Sequence, residues 1–70
     1  MKAVNMKNYK FGYKGFYFRM QGFGMYDEET NSFVSMDGKE PYVLGTKKLT
    51  QACIDGGWPE LCKMRVQPIA

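Results

Sequence analysis

The chain has 70 residues, of which 44% are hydrophobic and 16% aromatic, and a formal net charge of +3. One domain of this size, spanning residues 1–70, buries only about 60% of its unfolded surface, so a few large rings must supply the core. The sequence has no histidine, which removes the usual general base and metal ligand, and no run of about 18 apolar residues that would span a membrane.

Met1 to Asn5 lack the apolar stretch of a secretory signal. The expectation is a cytoplasmic protein, with residues 1–6 as a frayed leader. From Asn8 the pattern alternates. Tyr9, Phe11 and Tyr13 fall on one side; Asn8, Lys10 and Gly12 fall on the other. Phe16, Phe18 and Met20 then alternate with Tyr17, Arg19 and Gln21. Lys14-Gly15 between them is a two-residue turn, with Gly where a positive φ is needed. Residues 8–21 therefore read as a hairpin in which Tyr13 faces Phe16, Phe11 faces Phe18 and Tyr9 faces Met20. Tyr9, Phe11, Tyr13, Phe16 and Phe18 are expected as core, and a slip of one residue would put charges among these rings. Lys10 falls opposite Arg19 on the other face, a pairing that costs stability unless something else retains it.

Gly22 and Gly24 suggest a bulge or bend, and Phe23 to Tyr26 continue the sheet. An acidic polar loop, Asp27 to Ser32, leads to a short strand, Phe33 to Met36. Asp37-Gly38 is a strong hairpin signal, followed by Pro41 to Leu44 as an edge strand. Thr46 is the expected N-cap of a short helix, with Leu49, Ala52 and Cys53 as its apolar stripe and Gly56-Gly57 as its stop. Trp58-Pro59 makes a corner. Leu61 to Val66 returns as a last strand, with Cys62, Met64 and Val66 inward and Lys63 and Arg65 outward. The fold class is α+β: a small antiparallel sheet of four to five strands with one short helix packed on one face.

Charge is polarised along the chain. Residues 1–19 hold five cations and no acid, a charge of +5; residues 20–46 hold five acids against Lys39, giving −4; residues 47–70 hold four cations against two acids, giving +2. A basic end favours phosphate or an acidic protein partner.

Catalytic chemistry is poorly supplied. Cys53 and Cys62 cannot make a four-ligand zinc site alone, and are expected as free thiols. Asp27, Glu28 and Glu29 read as a solubilising loop, and Ser32 and Ser35 have no base partner. No phosphate-loop motif occurs, and no cofactor is implied. The surface residues singled out for binding are Lys10, Lys14, Tyr17, Arg19, Gln21, Trp58, Lys63 and Arg65. Tyr17 between Lys10 and Arg19 has the chemistry to stack a base beside neutralised phosphates. Trp58 is read either as an interface anchor or as a ring filling the gap between helix and sheet.

Lys14-Gly15-Phe16-Tyr17-Phe18 resembles the start of the ribonucleoprotein motif of RNA-recognition and cold-shock domains, which displays rings on a sheet to stack bases. It departs from that motif at Tyr17, where Gly or Ala is expected, and at Arg19 and Gln21. No second ring-bearing strand matches the partner motif. The C-terminal half, a Thr-started helix and a strand ending Arg65-Val66-Gln67-Pro68, is loosely similar to small phage inhibitors of host RNA polymerase. The expected function is a small non-enzymatic binding protein of a virus or mobile element that occupies a surface on a host protein or nucleoprotein machine. The alternative is direct DNA or RNA binding through the basic hairpin face. A homodimer through the sheet edge at Tyr42–Leu44 or Leu61–Val66 is a further option.

Overall fold

In the computed structural model, which describes residues 1–13 and 15–69, the chain runs β1 (Lys2–Asn5), β2 (Phe11–Tyr13), β3 (Phe16–Phe18), β4 (Phe23–Asp27), β5 (Ser32–Val34), β6 (Val43–Leu44), α1 (Lys47–Asp55), α2 (Trp58–Leu61) and β7 (Arg65–Val66). Five strands form one antiparallel sheet in the order β1-β4-β5-β7, and β6 joins it on β4. β2 and β3 form a separate two-stranded sheet. The α+β class and the antiparallel sheet are as the sequence predicts.

Residues 1–6 are a correction: they are not frayed but paired and packed. β1 pairs along β4, with Ala3 opposite Met25 and Val4 opposite Gly24. Met6 opens a single 3-10 turn, capped where the Asn5 side chain accepts from the Lys7 amide at 3.0 Å, and Met6 is fully buried. The Met1 amino group lies 2.5 Å from Glu28, which ties the start of β1 to the turn after β4. That hydrogen bond holds the exposed Glu28 carboxyl below its ordinary range.

Strand alternation divides the sheet into two faces. Val4, Gly24, Tyr26, Phe33, Val43 and Val66 share one, and the β2–β3 hairpin covers it. Phe11 and Phe33 meet edge to face with ring centres 5.4 Å apart, and Tyr9 meets Phe33 at 4.9 Å. Ala3, Met25 and Val34 share the other face, which the helical segment covers. Gly24 is needed on the hairpin side because a Cβ there would stand 2.5 Å from the Met6 sulfur and 3.2 Å from the Phe33 ring. With six buried apolar residues among those described (Ala3, Met6, Phe11, Met25, Phe33 and Val34), the core is small and rests heavily on two phenylalanine rings.

The hairpin register is as predicted at its tip: Tyr13 faces Phe16 and Phe11 faces Phe18. It is shorter than expected. Pairing stops at Phe11–Phe18, because Asn8 belongs to the 3-10 turn and Lys10 bridges to Ile69 instead of Arg19. Gly12 has φ +149°, and a Cβ there would stand 2.0 Å from the Phe16 carbonyl oxygen, so only glycine fits opposite Tyr17.

The Asp37-Gly38 turn differs as well. Ser35 bridges to Pro41, but β6 then crosses to β4. The place beside β5 is taken by β7, and the loop is bound up by its own side chains. Asp37 Oδ1 accepts from the amides of Lys39 and Glu40 at 2.8 and 3.0 Å, and the Ser35 hydroxyl accepts from the Gly38 amide at 2.8 Å.

Thr46 caps α1 as expected, its hydroxyl accepting from the Leu49 amide at 3.1 Å. The apolar stripe is corrected: Leu49 is 55% exposed and Ala52 is exposed, while Thr50 is fully buried with Cys53 and Ile54 half-buried. Thr50 tolerates burial because its hydroxyl donates to the Thr46 carbonyl at 2.9 Å. The predicted strand Leu61–Val66 is also corrected. Gly57, at φ +81°, starts the short α2, with Pro59 in the first turn where its missing N–H costs nothing. Only Arg65–Val66 remain a strand, and β6 is equally short, so neither edge offered for self-pairing presents a long run of backbone.

Candidate basic-aromatic cleft

Lys10, Gly12, Tyr17 and Arg19 fall on the outer face of the hairpin by alternation. The Lys10 ammonium lies over the Tyr17 ring, 5.0 Å from its centre. Tyr17 remains 57% exposed. Arg19 does not pair with Lys10 across a ladder. Its guanidinium instead donates to the Lys7 carbonyl at 3.1 Å, which holds Arg19 against the 3-10 turn.

Lys10 and Arg19 line a cleft of about 370 Å³ with Tyr9, Asn8, Asn31 and Ile69. No carboxylate lines it among the described residues, and the ion pairs present, Met1 and Lys2 with Glu28, lie elsewhere. Asn31, at φ +52°, accepts from the Tyr26 hydroxyl at 2.7 Å through its side-chain oxygen, so its amide nitrogen is left to donate. The C-terminal segment closes the cleft, with the Ile69 amide donating to the Lys10 carbonyl at 2.7 Å.

Phe16 corrects another expectation. It is not core: it is 72% exposed. Phe18 on the same face packs against the core, but Phe16 overhangs the loop after β5, and the two rings border a cleft of about 460 Å³ with Asp37, Lys39 and Glu40. The ribonucleoprotein-like rings therefore do not form one open platform.

The other singled-out residues disperse. Lys14 lies outside the described residues. Gln21 is exposed. Trp58 is half-buried and stacks on Tyr42, ring centres 5.1 Å apart and planes 21° apart. Arg65 does not point outward as predicted. It is half-buried, and its guanidinium donates to the carbonyls of Cys62, Met64 and Pro59 at 2.6, 3.0 and 3.0 Å, joining α2 to β7. Lys63 is exposed beside an open groove of about 1030 Å³ whose walls mix Asp27, Glu60 and Arg65. Cys62 donates to the Ser35 carbonyl at 2.9 Å, and both cysteines are free thiols.

Sequence alone does not single out Lys7, Asn8 or Asn31, and alternation places Phe16 in the core. Asn8 was visible on the outer hairpin face. Nothing local signals Asn31, which reaches the cleft from the β4–β5 turn. Among the described residues no three His, Cys, Asp or Glu side chains gather as a metal site requires, and no helix is long and apolar enough to cross a membrane. No family model, curated protein or solved structure matches the chain.

Proposed function

We propose that this is a small non-enzymatic binding protein, encoded by a virus or mobile element and acting in the cytoplasm, that modulates a host protein or nucleoprotein machine by occupying one of its surfaces. The observation that carries this reading is the hairpin tip, where Phe16 is 72% and Tyr17 57% exposed. A hairpin that presents two rings to solvent has the make-up of an interface anchor, because large rings give contact area at low entropy cost. The missing histidine and the polarised charge support the same reading. A second reading, direct contact with nucleic acid, is favoured by the cleft of Lys10 and Arg19, which no carboxylate lines among the described residues.

Affinity capture from host lysate tests the reading. The wild-type chain is expected to retain a stoichiometric partner that Phe16→Ala releases while keeping its melting temperature. Equal capture by the variant would remove the hairpin tip from the interface.

A further inference from the structure

We infer that the outer face of the hairpin binds single-stranded nucleic acid, with Tyr17 as the stacking ring and Lys10 and Arg19 as the phosphate contacts. The inference rests on the hairpin being the working surface, and names the nucleic-acid strand of a nucleoprotein machine as what it touches.

Three observations meet at this face. The first is geometric. Lys10 joins the two parts of this face: its ammonium lies 5.0 Å from the centre of the Tyr17 ring, and it lines the cleft together with Arg19, so a strand with a base stacked on Tyr17 passes Lys10 as it enters the cleft that holds Arg19. An exposed ring accepts any base, since every base offers a π-face. The second is electrostatic. The cleft carries Lys10 and Arg19 and no carboxylate among the described residues, and both cations come from the segment 1–19, which holds five cations and no acid in the sequence. Cations that line one cleft repel each other, and a phosphate bound between them relieves that repulsion. The third is hydrogen bonding. One guanidinium nitrogen of Arg19 is held by the Lys7 carbonyl, which fixes the group and leaves its other donors for an anion. Asn31 adds an amide donor on the opposite wall.

The cleft suits a strand better than a duplex. It is small, about 370 Å³ in volume, and Lys10 links it to the exposed Tyr17 ring. A stacked base requires an unpaired strand, because bases within a duplex are already stacked on one another. The binding that follows is sequence-tolerant and salt-sensitive.

Fluorescence anisotropy with labelled twelve-residue oligothymidylate and oligouridylate tests this on the full chain. Binding is expected at about 50 mM salt, with a log–log salt slope of about −1 to −2, the value for two phosphates on a single strand. Lys10→Gln/Arg19→Gln is expected to lower affinity more than about tenfold and flatten the slope. Tyr17→Ala is expected to lower it about tenfold, and Tyr17→Phe to restore it, since stacking needs the ring and not the hydroxyl. Lys47→Gln/Lys48→Gln removes the same charge from α1 and is expected to leave affinity unchanged. Circular dichroism melts confirm that each variant is folded.

Absence of binding to either oligonucleotide overturns the inference. An equal loss in the α1 control overturns the assigned site. Competition by polyglutamate as strong as by oligonucleotide shows that the face recognises acidic protein instead. If oligonucleotides fail to bind while Phe16→Ala still empties the lysate capture, the strand assignment falls and the docking reading stands. If Phe16→Ala leaves capture intact while the oligonucleotide results hold, the reverse is true.

Discussion

Phe11 and Phe16 lie on the same hairpin, yet one is fully buried and the other is 72% exposed. The difference is the floor beneath them. Phe11 stands over Phe33, in a sheet buried on both faces, and Phe18 follows it inward. Phe16 lies past that floor, above the loop of Asp37, Lys39 and Glu40. Alternation tells which rings share a side, but only the extent of the sheet opposite tells which of them leave water. Surface rings that the core does not need are the ones free to serve binding.

This contrast can be broken most forcefully at Phe33. Phe33→Ala removes the ring that Phe11, Tyr9 and Tyr26 all touch, and is expected to destabilise by about 3–5 kcal/mol in urea denaturation. Because a chain this small has little stability to lose, the variant should be largely unfolded, and a cooperative transition near the wild-type midpoint would contradict the packing described. A smaller loss, about 1–3 kcal/mol, is expected for Gly24→Ala, whose methyl group would crowd Met6 and Phe33. Adding Met6→Ala should make the combined cost less than the sum of the two single changes, because the crowding is shared.

Acid sharpens the contrast at the loop beneath Phe16. The backbone amides of Glu40 and Lys39, with the Ser35 hydroxyl, hold the Asp37 carboxyl below its ordinary value. The group binds its proton less readily folded than unfolded. Its contribution is therefore present above the ordinary aspartate range, about 3.9, and is lost as pH falls through the lower folded value. Asp37→Asn should be less stable than wild type at neutral pH, with the gap narrowing in strong acid; a gap independent of pH would refute the carboxylate's role. The smallest effect on stability belongs to Phe16→Ala, expected within about 0.5 kcal/mol of wild type. A loss as large as for Phe11→Ala would show that the tip ring is packed after all.

What the sequence disclosed was local. The hairpin register followed from a two-residue turn and period-two rings, and the Thr46 cap followed from one hydroxyl at a helix start. What it hid depends on distant partners. Lys2 to Asn5 carry no pattern strong enough to announce a strand, because β4 supplies their pairing. Thr50 ranked as polar, yet its own helix satisfies its hydroxyl and lets it face the core in place of Leu49. Lys10 and Arg19 were legible as neighbours on one face. The cleft was not, because Asn31 and Ile69 complete it from the β4–β5 turn and the C-terminal segment.

The position of β4 bears on how the chain reaches this state. That one strand pairs with residues 2–5, 32–33 and 43–44. Only the β4–β5 contact closes through a short turn; the other two wait on loops that span much of the chain. Early events should therefore gather at Tyr26 and Phe33, with β1 and β6 zipping onto opposite flanks afterwards. In a native-state hydrogen-exchange experiment, the amides of β4 should be the last to open, and those of the hairpin tip among the first. The same hairpin that offers its rings to a partner would then be the part of the molecule most readily reshaped by one.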